Sequence, residues 1–321
     1  MNYLPHYLTS ILIFFIALLS GCTNSDSTEL LIKHVQTWDT TGTELGKLQH
    51  PIGITLHDGL LYISDAGNHR IHAFEKDGTH VRSFGSKGSE TGQLNRPMHL
   101  EFGRDTLFVP EYLNDRIQLF LSDGNSLQTI GESGTGKGQF DAPGGVAVDT
   151  NRSTLFVADF YNHTIHKFST GGNLITQFGK GEYGSEPGVF TYPTDVALLN
   201  NGDVVVADAY NNRIQLLNKQ GEVKWIIPEN TTEADSLSGR FDVATAVATD
   251  HQNRIYVADF ENHRIQIFSQ NGTFLTMFGQ KGTNDSQFER PTDIVIDKDG
   301  NIYVVDFGNK RIQKFRIQKP L

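Results

Sequence analysis

The chain has 321 residues, 37% of them hydrophobic and 20% charged, with 32 glycines but only 10 prolines. That is enough apolar material for a packed core, and it is neither a collagen-like nor a Pro-rich disordered composition. Lys and Arg total 27 against 37 Asp and Glu, a formal net charge of -10 that argues against gripping nucleic acid by its phosphates. The single cysteine, Cys22, excludes an internal disulfide, a cysteine-based zinc centre and a CxxC redox pair.

In chain order, the first element is the unbroken apolar run Ile11 to Leu19. It is too short to cross a ~30 Å hydrocarbon core as a helix, but it suits the apolar region of a secretory signal. The following Leu19-Ser20-Gly21-Cys22 resembles the lipobox of bacterial lipoproteins, whose cysteine is diacylated and becomes the first residue after cleavage. One departure is that Met1 to Ser10 contain no Lys or Arg. The resemblance implies a signal peptide over 1–21, lipidation of Cys22 and a polar tether over 22–29. It places the protein in the cell envelope: on an outer membrane where the cell has two membranes, since Thr23 is not Asp, and otherwise on the outer face of the plasma membrane. Two or three acyl chains, at about 0.8 kcal/mol per buried CH₂, would make that anchorage permanent.

From residue 31 onward the chain is repetitive. A strand-like segment, Leu31 to Trp38, comes first and has no unit of its own. Six related units follow, each with one acidic residue at the same place: Asp65, Glu111, Asp159, Asp208, Asp259 and Asp306. These are 46, 48, 49, 51 and 47 residues apart, a period that suits propeller blades rather than helical solenoids. Each unit divides into four short strands. The innermost follows a proline (52–56, 145–148, 294–296), the second ends at the acidic residue, the third begins at Arg-Ile (70–74, 213–217), and the fourth carries the aromatic-Gly ending (81–85, 174–179, 274–279). Asp-Gly, Asn-Gly and Gly-Gly pairs at 77–78, 123–124, 171–172, 271–272 and 299–300 supply hairpin turns. The fourth unit ends at Trp225-Ile-Ile-Pro228 and carries an acidic insertion to Gly239. The sixth stops after its third strand, so Leu31 to Trp38 is expected to complete it and remove the last open sheet edge. The expected fold is all-β: one six-bladed β-propeller of four-stranded antiparallel blades, spanning residues 30–321.

The block Phe156-Val-Ala-Asp159-Phe-Tyr-Asn162, its five counterparts, and the segment Gly138 to Asp149 resemble NHL repeats, and the resemblance covers nearly the whole chain after the tether. It is specific for fold. For function it implies only a range, because NHL propellers include protein-binding and RNA-binding modules, extracellular sensors and a peptide-amidating lyase.

The repeated acidic residues, each followed by Asn at the third position and in most units by Arg at the fifth, read as a structural pair series. His69, His163 and His263 fall in the loop after that Asn and read as surface loop residues rather than metal ligands. Residues 131–137 look like the start of a phosphate-binding P-loop, but Gly138 stands where Ser or Thr is needed, and 85–93 and 279–287 show the same loop, so this is repeat architecture.

Positions where equivalent repeats differ are more informative. Two residues after the proline slot the units carry Gly53, His99, Gly145, Asp195, Ala246 and Asp293; just before the slot they carry His50, Arg96, Ala142, Tyr192, Val243 and Arg290. Innermost strands line a propeller's channel, so both rings are expected at its mouth. There His50, Arg96, His99, Tyr192, Asp195, Arg290 and Asp293 either hold water as solvated charges or bind a polar ligand or metal. A second candidate is the set of aromatics after the acidic residue, of which Tyr112, Tyr161 and Tyr210 are candidate ligand-binding residues and Tyr161 and Tyr210 the better exposed platforms. They are expected on the same face as the channel mouth.

The leading expectation is a monomeric, non-enzymatic, lipid-anchored module binding a protein, peptide or glycan, with no nucleic acid and no cofactor. The alternative is a metal-dependent lyase or hydrolase using Zn or Ca at the channel, with His99, Asp195 and Asp293 as ligands. Against it, the amidating lyase's multi-histidine channel set is not reproduced, and Tyr210-Asn211-Asn212 stands where that enzyme's loop has a Cys-Asn pair.

Overall fold

A computed structural model describes residues 30–39, 44, 46–228 and 238–318. The expected signal peptide, Cys22 and the tether lie outside the described residues, as does the acidic insertion over 229–237. Within the described residues, 24 strands form six four-stranded antiparallel sheets. Blade 3 shows the pattern: Pro143–Asp149 innermost, then Thr154–Asp159, Thr164–Ser169 and Leu174–Phe178 outermost. The last blade runs Pro291–Ile296, Asn301–Asp306, Arg311–Gln318, and then Leu31–Asp39 from the other end of the chain. This closing strand pairs antiparallel with its neighbour, Ile32 opposite Ile317 and Trp38 opposite Ile312. The expected closure is therefore observed.

Burial follows from the stacking of blades. Second strands such as Thr154–Asp159 are buried along their whole length because both faces meet other blades, whereas the outermost Leu174–Phe178 is largely open to solvent. The apolar side chains collect in six clusters, one at each seam. Tyr62, Ile71 and Ala73 of the first blade meet Leu100, Leu107, Val109 and Phe120 of the second. At the closing seam Trp38, Tyr303 and Ile312 meet Ile54, Ile63 and Phe74. Each fully buried side chain of this size contributes about 1.5–3 kcal/mol. The hairpin turns are where the Asp-Gly and related pairs place them. Gly78, at φ 92°, takes the left-handed conformation that a β-carbon disfavours, and a Cβ there would lie 2.7 Å from the Trp38 indole.

The repeated acidic residue is the internal rivet of each blade. The Asp208 carboxylate accepts hydrogen bonds from Thr191 N (2.7 Å), Asn211 Nδ2 (2.9 Å), Arg213 Nε (2.6 Å) and Gln215 Nε2 (2.9 Å). Glu111, Asp259 and Asp306 are held likewise by Arg116, Arg264 and Arg311. Two blades vary the design. Thr164 replaces the arginine in blade 3 and His166 meets Asp159 at 3.1 Å, while in blade 1 Arg70 Nε bonds His72, which lies 3.5 Å from Asp65.

Of the loop histidines expected on the surface, His163 and His263 are buried and His69 is half-buried. Each accepts, through Nδ1, the backbone N–H just before the next blade's proline: His69 from Arg96 (3.2 Å), His163 from Tyr192 (3.1 Å), His263 from Arg290 (3.1 Å). Asp115 and Asn212 do the same for Ala142 and Val243. They are interblade clamps, and burial explains why His69 and His163 are held below the usual imidazole pKa. The glycine loops at 85–93, 131–137 and 279–287 share a glutamine clasp, with Gln93, Gln139 and Gln287 accepting N–H groups of Glu90, Gly136 and Asn284. The phosphate-loop likeness is repeat architecture, as the sequence indicated.

Candidate functional site

A β-bulge opens five of the six inner strands: the register skips between Pro51 and Ile54, Pro143 and Val146, Pro193 and Asp195, Ala244 and Ala246, and Pro291 and Asp293. In blade 2 the strand itself starts only at Glu101, after an isolated Pro97–Glu111 bridge. Bulges re-aim side chains. Here the residues two after the proline slot in blades 2, 4 and 6, all three ionisable, meet in the channel, those of blades 4 and 6 re-aimed by the bulge. His99 Nδ1 lies 3.8 Å from Asp195 Oδ2 and 3.6 Å from Asp293 Oδ2. The intervening blades carry Gly53, Gly145 and Ala246, and two of these have no room for a side chain. A Cβ on Gly145 would stand 2.0 Å from Asp195 Oδ1, and one on Gly53 2.7 Å from His99 Cα.

The three residues are buried, at 6%, 4% and 6% exposure. Their positions are held from the next blade: Asp195 Oδ2 accepts the Val247 N–H (3.0 Å) and Asp293 Oδ2 the Ile54 N–H (2.8 Å). His99 Nδ1 is buried without a hydrogen-bond partner. Burial disfavours the imidazolium, but the two carboxylates outweigh it and lift the His99 pKa to about 8. Burial likewise pushes Asp195 up, against the pull of His99.

Glu101 is the site residue that sequence reasoning missed. Burial, tempered by a hydrogen bond from Val148 N (2.8 Å) and reinforced by Asp195 and Asp293, pushes its carboxyl up to about 8. The signal was present, because the same every-second-residue spacing that selects His99 selects Glu101, where the other blades carry Thr55, Ala147, Ala197, Ala248 and Val295.

These residues form the inner end of a cavity of about 400 Å³, whose lining continues to Asp149, Asn151, Arg152 and Asn200 in the hairpins after the inner strands. It therefore opens on the face opposite the aromatic loops. Towards the loop face a belt of contacts draws the inner strands together: Thr194 Oγ1 donates to Ala244 O (3.3 Å) and Thr292 Oγ1 to Ile52 O (2.9 Å). This corrects the expected arrangement. His99, Asp195 and Asp293 are a buried cluster inside the channel rather than solvated charges at a mouth, and His50, Arg96, Tyr192 and Arg290 do not join them.

The residues before the proline slot lie on the loop face with the aromatics. The Arg96 guanidinium sits 4.7 Å from the Tyr112 ring centroid, Arg290 lies over Phe260 (5.6 Å) and bonds Glu261 (3.1 Å), and exposed His50 stacks on Phe307 (5.8 Å). Tyr192 becomes the centre of an aromatic platform across blades 2 to 4, with its ring centroid 4.9 Å from Phe160, 5.9 Å from Tyr161 and 5.1 Å from Tyr210. Tyr112 adds a hydroxyl bond to Tyr161 (3.0 Å), and His163 links Tyr192 to Tyr183. Tyr161, Tyr210 and Tyr183 are 47%, 58% and 74% exposed. Tyr161 and Tyr210 are thus the exposed members expected from sequence. Tyr183 was not anticipated, since its loop has no counterpart aromatic in the other units.

Fold and repeat chemistry together define a six-bladed β-propeller with a buried ionisable cluster in its channel and an aromatic loop face. The chain carries NHL repeats: a profile of the NHL repeat matches residues 48–74, 140–168 and 190–215, and one described as a 6-bladed beta-propeller matches residues 243–319. Protein brain tumor of Drosophila melanogaster is 34% identical over 99 residues, which are 31% of this chain and 9% of that protein. Peptidyl-alpha-hydroxyglycine alpha-amidating lyase 1 of the same organism is 36% identical over 110 residues, 31% of this chain and 20% of the enzyme. The matches thus span a tenth to a fifth of these relatives. Among solved structures, a protein of unknown function from Bacteroides thetaiotaomicron aligns with a TM-score of 0.65 at 16% identity, over 89% of this chain and 73% of that one. A catalytically inactive virginiamycin B lyase from Staphylococcus aureus aligns with a TM-score of 0.60 at 14% identity, over 90% of this chain and all of that one. At such identities the likeness is one of fold.

Proposed function

We propose that this protein is a binding module that holds a partner polypeptide on its loop face and is anchored to the cell envelope by a lipid on Cys22. The observation that carries the first part is the contiguous platform of Tyr112, Phe160, Tyr161, Tyr192 and Tyr210, packed ring against ring on rigid blades with Tyr161 and Tyr210 open to solvent. Tyrosine-rich, pre-organised surfaces of this kind supply large contact area at small entropic cost and dominate the energetics of polypeptide interfaces. The anchor rests on the apolar run Ile11 to Leu19 and the lipobox-like Leu19 to Cys22. The test is a binding screen of the chain against envelope proteins, peptides and glycans, repeated with Tyr161→Ala and Tyr210→Ala. A polypeptide ligand whose affinity falls at least tenfold in each variant supports the proposal. A glycan ligand, or binding unchanged in both variants, refutes it. Mass spectrometry of the mature N-terminus tests the anchor, with an acylated Cys22 expected.

A second reading, an enzyme acting in the channel, is favoured by the cavity that ends at His99, Glu101, Asp195 and Asp293. Its lining contains neither Ser nor Cys, so covalent catalysis through those nucleophiles is not available there. The two readings separate by position. A channel ligand is lost on Glu101→Gln or Arg152→Ala and is indifferent to Tyr161 and Tyr210.

A further inference from the structure

We infer that His99, Asp195 and Asp293 form a binding site for one divalent transition-metal ion at the closed end of the channel. The inference is independent of what the loop face binds. Three observations carry it. First, the cluster is unbalanced: two buried carboxyl groups, Asp195 and Asp293, face a single imidazole, and a third carboxyl, that of Glu101, lines the same cavity. Buried charges in such an excess need a counter-ion, or else protons, to offset their desolvation. Secondly, His99 Nδ1 is buried, lacks any hydrogen-bond partner and faces both carboxylates, which is the position of a ligand atom rather than of a core histidine. Thirdly, the space is made for it. Large ionisable residues in blades 2, 4 and 6 alternate with Gly53, Gly145 and Ala246, and a single Cβ on Gly145 would displace the Asp195 carboxylate.

The geometry fits a metal of zinc size. One nitrogen and two oxygens lie within 4.8 Å of one another. With bonds of about 2.0–2.2 Å, donor pairs 3.6 and 3.8 Å apart subtend angles of roughly 110–145° at a common centre, from the tetrahedral value upward. Calcium is the poorer fit, since it takes six to eight oxygen ligands and three protein donors, one of them nitrogen, fall short of that. A set of one histidine and two carboxylates suits zinc, manganese or iron(II) and leaves coordination positions open. Those positions would face the cavity, whose wall continues past Glu101 to Arg152. The carboxylates already accept N–H groups from Val247 and Ile54, so their orientation is set by the fold before any ion arrives.

The test uses the full chain, purified in detergent and stripped with a chelator, and titrated with Zn²⁺ alone. One equivalent is expected to remain after gel filtration, and X-ray absorption is expected to show nitrogen and oxygen neighbours at about 2.0–2.2 Å with no sulfur, which separates this site from adventitious capture by Cys22. His99→Ala and Asp195→Asn should each weaken Zn²⁺ binding at least tenfold, while Asp149→Asn, at the open end, should change it less than threefold. Should the first two variants fail to fold, the stoichiometry and the absorption spectrum of the wild-type chain decide alone. Less than 0.2 equivalents bound (a limit of about one ion in five chains), a sulfur neighbour, or undiminished binding by folded His99→Ala would overturn the inference.

Discussion

Replacing Asp208 by alanine isolates the energetic role of the repeated ion pair. Its carboxylate is fully buried and accepts four hydrogen bonds, one of them from Arg213 Nε at 2.6 Å. Arg213 is itself only 9% exposed, with its remaining N–H groups on the carbonyls of Ser185, Glu186 and Val189. Removing the carboxylate therefore leaves a largely buried guanidinium without its counter-charge, which costs about 3–5 kcal/mol. Blade 3 provides an internal control. Asp159 occupies the same position and accepts Asp141 N (2.9 Å) and Asn162 Nδ2 (2.7 Å), but Thr164 stands where the arginine would be. His166 Nε2 also lies 3.1 Å from that carboxylate, so Asp159→Ala takes a partner from two amide donors and an imidazole but strands no guanidinium, at about 1–3 kcal/mol. In urea unfolding followed by circular dichroism and by Trp38 and Trp225 fluorescence, Asp208→Ala should thus lose about 2 kcal/mol more than Asp159→Ala. That difference corresponds to a Tm gap of roughly 3–4 °C for a ring of this size. Adding Arg213→Met to Asp208→Ala should restore much of the loss. Equal costs in the two blades, or no rescue by Arg213→Met, would refute the view that the arginines are buried partners rather than decoration.

Other outcomes follow from the same geometry. Tyr161→Ala and Tyr210→Ala should change unfolding free energy by no more than about 0.5 kcal/mol, because both rings are exposed, while reducing ligand affinity on the loop face. Gly145→Ala should destabilise by about 1–3 kcal/mol through overpacking against Asp195 and should also weaken Zn²⁺ binding, read by unfolding and calorimetry on one sample. The His163 clamp needs a neutral Nδ1 to accept the Tyr192 N–H, and burial holds its pKa below the usual value. The unfolded chain then binds the proton more readily. The clamp's contribution is complete above the unfolded pKa of about 6.5 and is lost as pH falls through the lower folded value. His163→Asn, which installs the side chain that clamps Val243 from Asn212, should keep the clamp and flatten that pH dependence; an unchanged slope between about pH 7 and 5 would show that another group is titrating.

Much of the fold was legible because each repeat restates the same local solution. Six acidic residues at near-equal spacing, Gly-containing turns and an orphan strand at Leu31 to Trp38 leave few ways to close a ring. The ionisable ring was legible for a related reason: His99, Asp195 and Asp293 stand out only against the small residues at equivalent positions. Which end of the channel they face was not legible. It depends on the belt of Thr194 and Thr292 contacts that draws the loop end of the ring together, a product of blade packing rather than of residue pattern. Tyr192 was grouped with the channel because it precedes the proline slot, yet its left-handed backbone (φ 50°) turns it onto the aromatic face. The histidine clamps escaped for a similar reason, since a loop position in sequence becomes an interblade seam only once the next blade is in place.

The central claim is that a partner polypeptide sits on the aromatic face, and site-directed photo-crosslinking tests it most directly. A photoreactive phenylalanine analogue at position 161 or 210, in cells exporting the full chain, should yield the same discrete adduct with one polypeptide, and the analogue at position 151, beside the channel opening on the other face, should yield none. The same adduct from position 151, or none from 161 and 210 in cells where the chain is folded and exported, would contradict the account.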